Sequence, residues 1–174
     1  MSKWTRPKSV PIPTVWSRFE GKIVTNGKRK SYWIQDITDE YKDQIVNYMV
    51  EMFLMDEPMS FYSGSYKDTE LSGKFRQLWV NAVNQNMGLL CLTMDENGKP
   101  TMAGVNCTAI CTINDKNHES IGCDKILPLF TWLKGQDDAF SKFNIAEYLD
   151  GMGLFVLREY RGEGIGAELL KARY

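Results

Sequence analysis

Apolar residues recur at helical spacing in two stretches of the chain and form short continuous runs in several others. Tyr41, Ile45, Tyr48, Met49, Met52 and Phe53 follow the helix-start chemistry of Asp36 to Asp39 and predict a first helix. It should stop near Leu54–Pro58, because Pro58 disfavours helical geometry at Glu57. Leu71, Phe75, Leu78, Trp79 and Ala82 form one stripe and predict a second helix over about Thr69–Gln85. Lys30–Gln35 reads as a strand. Gly88–Met94 and about Thr101–Cys111 read as two more, joined by a hairpin turn at Asn97-Gly98. Ile126–Leu133 and Asp138–Leu149 read as short helices within an insertion over the sheet spanning 112–149, a segment too long for a plain connection. A last strand at about Met152–Leu157 leads to a helix beginning near Gly164. Pro7, Pro11, Pro13 and Asn26-Gly27 punctuate the first 28 residues, which read as an extension with at most a short strand near Val15–Phe19. The order strand, helix, helix, hairpin, insertion, strand, helix places the chain in the α+β class. Residues 1–28 read as a basic N-terminal extension, and residues 29–174 as the N-terminal and central part of one domain, ending within its last helix.

Composition narrows the picture only a little. A hydrophobic fraction of 43% and a charged fraction of 25% over 174 residues suit one soluble globular domain. No apolar run approaches the roughly 18 residues of a membrane span, and no secretory signal is evident, so a cytoplasmic protein is expected. Cys91, Cys107, Cys111 and Cys123 form no CxxC pair and read as free thiols; with His118 the only histidine, no metal site is expected. Residues 1–30 carry eight Lys or Arg against the single Glu20. This arm lacks aromatic interleaving and long charge runs, so it reads as solvated rather than as a nucleic-acid or membrane contact, and a monomer is expected.

The chemistry is concentrated in Arg161-Gly162-Glu163-Gly164-Ile165-Gly166, set between a strand and a helix. A helix start leaves N–H groups unpaired and is positive, and glycines let a bulky diphosphate approach them. Arg161 could add charge and hydrogen bonds to a phosphate. A plain connecting turn is a poor account of three glycines in five residues, since each costs helix propensity. A Walker loop is excluded because no Gly-Lys-Ser/Thr follows. A dinucleotide fingerprint fits Gly162, Gly164 and Ala167, but Arg158–Arg161 separate the first glycine from the strand end.

The run from Leu154 to Leu170, with Val156, Tyr160, Arg161, Gly162, Gly164 and Gly166 at matching positions, resembles motif A of the GCN5-related N-acetyltransferase superfamily. Asp56-Glu57-Pro58-Met59 and the long aromatic insertion resemble its insect arylalkylamine N-acetyltransferase subgroup. The resemblance covers about Lys30 to Tyr174. It implies the acetyltransferase fold, a mixed central sheet flanked by helices, and acetyl-CoA as acyl donor. It also implies acetylation of a small primary amine, an arylalkylamine first, through general-base-assisted direct attack on the thioester.

The same resemblance assigns roles. Phe155, Val156 and Leu157 would run beside the pantetheine arm, a backbone N–H there polarising the thioester carbonyl. Backbone N–H groups of Arg161, Gly162, Glu163, Gly164, Ile165 and Gly166 would hold the pyrophosphate. A protonated amine is not nucleophilic, so a carboxylate must take its proton; Glu57 is the first candidate, with Glu147 and Asp150 behind it. Phe61, Tyr62, Phe130 and Trp132 could wall an aromatic-amine pocket, although such residues also serve as core. Family members continue past this motif with a further strand and a general acid, so a C-terminally truncated member is expected. The alternative is an inactive coenzyme A-binding fragment or module.

Overall fold

The computed structural model describes residues 6–114 and 126–173. Five strands form one sheet in the order β1-β2-β3-β4-β5, with β1 at Val15–Thr25, β2 at Lys28–Asp36, β3 at Leu89–Met94, β4 at Pro100–Thr112 and β5 at Glu147–Val156. The pairings β1–β2, β2–β3 and β3–β4 are antiparallel. Leu157 N–H bonds Ala103 and Ile113 N–H bonds Ala146, so β5 runs antiparallel to β4 as well. The helices are α1 (Asp39–Tyr48), α2 (Leu54–Asp56), α3 (Pro58–Ser63), α4 (Thr69–Asn84), α5 (Ile126–Gln136), α6 (Ala139–Phe143) and α7 (Ile165–Lys171). His118 and Cys123 lie outside the described residues.

The chain divides into two compact units. One holds residues 43–81 and 110–150. Its first part is the α1 stripe carried through a π-helical stretch, Met49–Phe53, into α2. Within it Trp79 is 1% exposed, stacked on Phe75 at 5.5 Å and met edge-on by Phe53 at 5.8 Å. The helix expected over Asp138–Leu149 is shorter than its aromatic spacing suggested. Asn144, at φ +50°, ends α6 after Phe143, and Glu147–Leu149 already belong to β5.

The other unit holds residues 6–42, 82–109 and 151–173. Tyr32, Ile34 and Asp36 of β2 alternate inward, as a strand with one buried face requires. Tyr32, Ile34, Leu89, Cys91 and Ala103 meet Ile165 and Leu169 of α7 in one apolar cluster. Cys91 and Cys107 are buried free thiols, and burial pushes both up to about 12.

Two sequence expectations change here. The strand near Val15–Phe19 runs on to Thr25 and pairs with β2, so from residue 15 the segment expected as an extension is sheet. Nor is the basic arm uniformly solvated. Asp36, 2% exposed, accepts hydrogen bonds from Arg6 Nη1 (2.9 Å) and Nη2 (2.8 Å), from Thr14 N–H (2.7 Å) and from Trp16 Nε1 (2.9 Å). A buried carboxylate needs such partners, and the cation fastens the N-terminal segment to β2. Removing it strands the charge: Arg6→Ala should lower stability by about 3–5 kcal/mol in urea unfolding, whereas a change under about 0.5 kcal/mol would mark the pair as incidental.

Candidate functional site

β5 is the last strand in the sheet order, and its end shapes the site. Leu157 directs its N–H at the Ala103 carbonyl (3.0 Å), so strand alternation turns the N–H and C=O of Val156 away from β4. The Val156 carbonyl accepts Arg161 Nε at 3.0 Å, and the Arg161 guanidinium lies 5.7 Å over the Phe155 ring. Beyond a 3-10 turn at Arg158–Tyr160, Gly162 and Gly164 adopt φ +88° and +89°, which only glycine takes without strain. Gly164 caps α7 and offers no side-chain cap, and among the described residues no side chain is hydrogen-bonded to the leading N–H groups of that helix. Its leading N–H groups therefore face outward.

A groove of about 310 Å³ opens at this turn, lined by Val156, Arg161, Gly162, Gly164, Ile165 and Gly166, with Lys22 of β1 beside them. Six of the nine residues expected at the cofactor thus meet in one place. The other three do not line it. Phe155 and Leu157 are 3% and 4% exposed and belong to the core, and the Leu157 N–H is already used by the sheet. The Glu163 side chain turns inward and is 8% exposed. Ile165 is also a core side chain, so only its backbone is available to the groove. Lys22 was not anticipated, because it lies in the segment read as an extension.

Glu57 occupies the N-cap of α3 in the other unit. Its Oε1 accepts Met59 N–H (3.0 Å), and its Oε2 accepts Ser60 N–H and Ser60 Oγ, both at 2.7 Å. Partial burial works to raise this carboxyl, but the three hydrogen bonds outweigh it and hold the group below the usual carboxylate value. The group is ionised at neutral pH with most of its acceptor capacity in use.

In the same unit Phe61 stacks on Tyr66 at 5.6 Å and meets Tyr62 edge-on at 5.4 Å. Phe61 is 48%, Tyr62 86% and Trp132 59% exposed, so none of the three is core. Nothing is described of the Phe130 side chain. Asp150 is bound by Lys134, and Cys111 Sγ lies 3.6 Å from its Oδ2. Among the described residues no cluster of His, Cys, Asp or Glu suits a metal, and no helix is long and apolar enough to cross a membrane.

No protein-family model matches the chain, and no curated protein sequence does. Solved structures do. The insect protein assigned as arylalkylamine N-acetyltransferase 7 of the yellow fever mosquito superposes with a TM-score of 0.87 at 31% identity, over 98% of this chain and 72% of that one. Arylalkylamine N-acetyltransferase 2 of Aedes aegypti matches at 0.64 and 18% identity, over 82% of this chain and 68% of that one. The Drosophila melanogaster polyamine N-acetyltransferase, which forms N-acetylagmatine, matches at 0.63 and 12%, with the same coverage. The last two share the fold. The sheet, the glycine turn and the first match together define an acetyltransferase of the GCN5-related class. The chain belongs to its insect arylalkylamine N-acetyltransferase-like family.

The Glu57 cap has a measurable signature. Its folded pKa lies below the unfolded one, so its contribution is complete above the unfolded value, near 4.3, and is lost as pH falls through the folded value. Glu57→Ala should cost about 1 kcal/mol at pH 7, and this difference from the parent chain should shrink on acidification below about pH 4. Thermal melts across pH 3–7 check it; a gap that does not change with pH would contradict the ionised cap.

Proposed function

We propose that this chain binds acetyl-CoA at the glycine turn and transfers its acetyl group to a small primary amine, an arylalkylamine before a polyamine. The observation that carries the reading is the groove at the uncapped start of α7, found in a chain 31% identical to an insect protein assigned to that activity. The residues present fit a diphosphate: positive-φ glycines at the turn, leading N–H groups without a side-chain cap, and cationic Lys22 and Arg161. Acetyl-CoA supplies an activated acyl group as its thioester.

The chain's own residues divide the remaining work. Backbone N–H groups between Arg161 and Gly166 hold the diphosphate, and Arg161 adds charge. Along Phe155–Leu157 the donor fitted to polarise the thioester carbonyl is the Val156 N–H, which strand alternation turns away from β4. Glu57, with the acceptor capacity its cap leaves over, takes the proton of the incoming ammonium directly or through water. The freed amine attacks the thioester carbonyl, the C–S bond breaks, and coenzyme A leaves as the thiol with the second proton that the nitrogen gives up. Phe61, Tyr62 and Trp132 offer ring faces to an aromatic amine. The buried thiols Cys91 and Cys107 are in keeping with a reducing cytoplasm, where the enzyme acts as a monomer.

Thiol release from acetyl-CoA with tryptamine, dopamine and agmatine, beside calorimetric binding of coenzyme A, tests this directly. Glu57→Gln should lower kcat roughly 10²–10⁴-fold while coenzyme A binding stays unchanged. Undiminished turnover in that variant removes the base assignment. Binding without turnover by the parent chain would identify a coenzyme A-binding module instead, and absence of binding would remove the acyl-donor reading.

A further inference from the structure

Between Glu20, paired with Ser31, and Val24, paired with Arg29, three residues of β1 face one of β2. Gly21, Lys22 and Ile23 therefore form a bulge, and such irregularities often re-aim a side chain beside a functional site. The Ile23 N–H leaves the ladder and donates to Glu163 Oε2 at 3.0 Å. Glu163 is the residue between the two positive-φ glycines, so this bond ties the glycine turn to the bulge.

The fit around that carboxylate is close. A Cβ on Gly21 would stand 2.1 Å from Glu163 Oε2 and 2.9 Å from the Tyr32 ring, so only glycine leaves room. The Tyr32 hydroxyl is buried beside the same carboxylate, and burial first, then the carboxylate's charge, raise its pKa. Among the described residues no cation pairs with Glu163. A buried carboxylate held by one N–H and facing a phenol is costly to keep unless its position matters.

What the bond positions is Lys22. Its stem crosses the turn, with Cε 3.0 Å from where a Cβ on Gly164 would stand, and the residue lines the groove. It makes no ion pair among the described residues. Arg161, the other cation of the groove, directs its Nε to the Val156 carbonyl.

We propose that the β1 bulge is part of the cofactor site: Lys22 is a diphosphate-binding cation, and Glu163 is the positioning residue that holds the bulge against the glycine turn. This rests on the coenzyme A reading. It makes the hairpin strand a component of cofactor recognition and separates two roles within the turn. Its backbone N–H groups face the ligand, while its one carboxylate faces inward and sets the distance to β1.

Calorimetry on the full chain tests it with two probes, acetyl-CoA and S-acetylpantetheine, which lacks the diphosphate. Lys22→Ala should raise the Kd for acetyl-CoA about tenfold, flatten its salt dependence, and leave acetylpantetheine within about twofold. Lys22→Arg should recover most of the loss. Glu163→Gln should weaken acetyl-CoA in the same direction by a smaller factor, again sparing acetylpantetheine. Because Lys22 is exposed, its variants decide the matter without risk to folding. An unchanged Kd for acetyl-CoA in Lys22→Ala, or equal weakening of both probes, overturns the assignment while leaving the coenzyme A reading intact. A parent chain that binds neither probe overturns both.

Discussion

Ile165 and Leu169, at 1% and 0% exposure, press α7 onto the cluster of Tyr32, Ile34, Leu89, Cys91 and Ala103, and the geometry of the glycine turn depends on that contact. A seven-residue helix has little stability of its own in water. Tertiary burial keeps its first turn in place, and the backbone N–H groups of that turn are the chemically useful part. The aromatic layer continues the support: Phe19 stacks on Tyr32 at 5.4 Å, and Tyr160 meets Tyr32 edge-on at 6.3 Å. The turn is a loop only in its backbone conformation, since core residues stand directly beneath it.

Elements with one clean period were legible in the sequence. Both long helical stripes, the Asn97-Gly98 hairpin and the strand-to-turn-to-helix passage lie where their patterns place them, within a few residues. β1 was not legible, for a physical reason. Its register shifts between Val15 and Ser17 and again between Glu20 and Val24, so its apolar residues do not alternate, and three prolines precede it. Lys22 went unnoticed with it. A glycine inside a strand-like stretch was the available signal, since Gly21 marks a bulge or a close approach. The early end of α6 was hidden similarly, because hydrophobic spacing does not report that Asn144 adopts the left-handed conformation.

Glu57 illustrates how a local role and a chemical one can share a carboxylate. As the N-cap of α3 it is held in a defined orientation, which a proton acceptor needs. The same bonds depress its basicity, which a proton acceptor does not need. The sequence indicated the residue through Asp56-Glu57-Pro58-Met59 but not this tension, because hydrogen bonds to Met59 and Ser60 exist only once α3 has formed.

Gly21 and Glu163 lie 142 positions apart in sequence, yet the space each leaves is defined by the other. Any side chain at 21 collides with the acid at 163 and also with the Tyr32 ring, so a shorter residue at 163 relieves only one of the two contacts. Shrinking 163 is therefore necessary but not sufficient for a larger residue at 21, because the Tyr32 ring must give way as well. A library that varies single sites would record 21 as intolerant and miss that its tolerance is set by two distant neighbours.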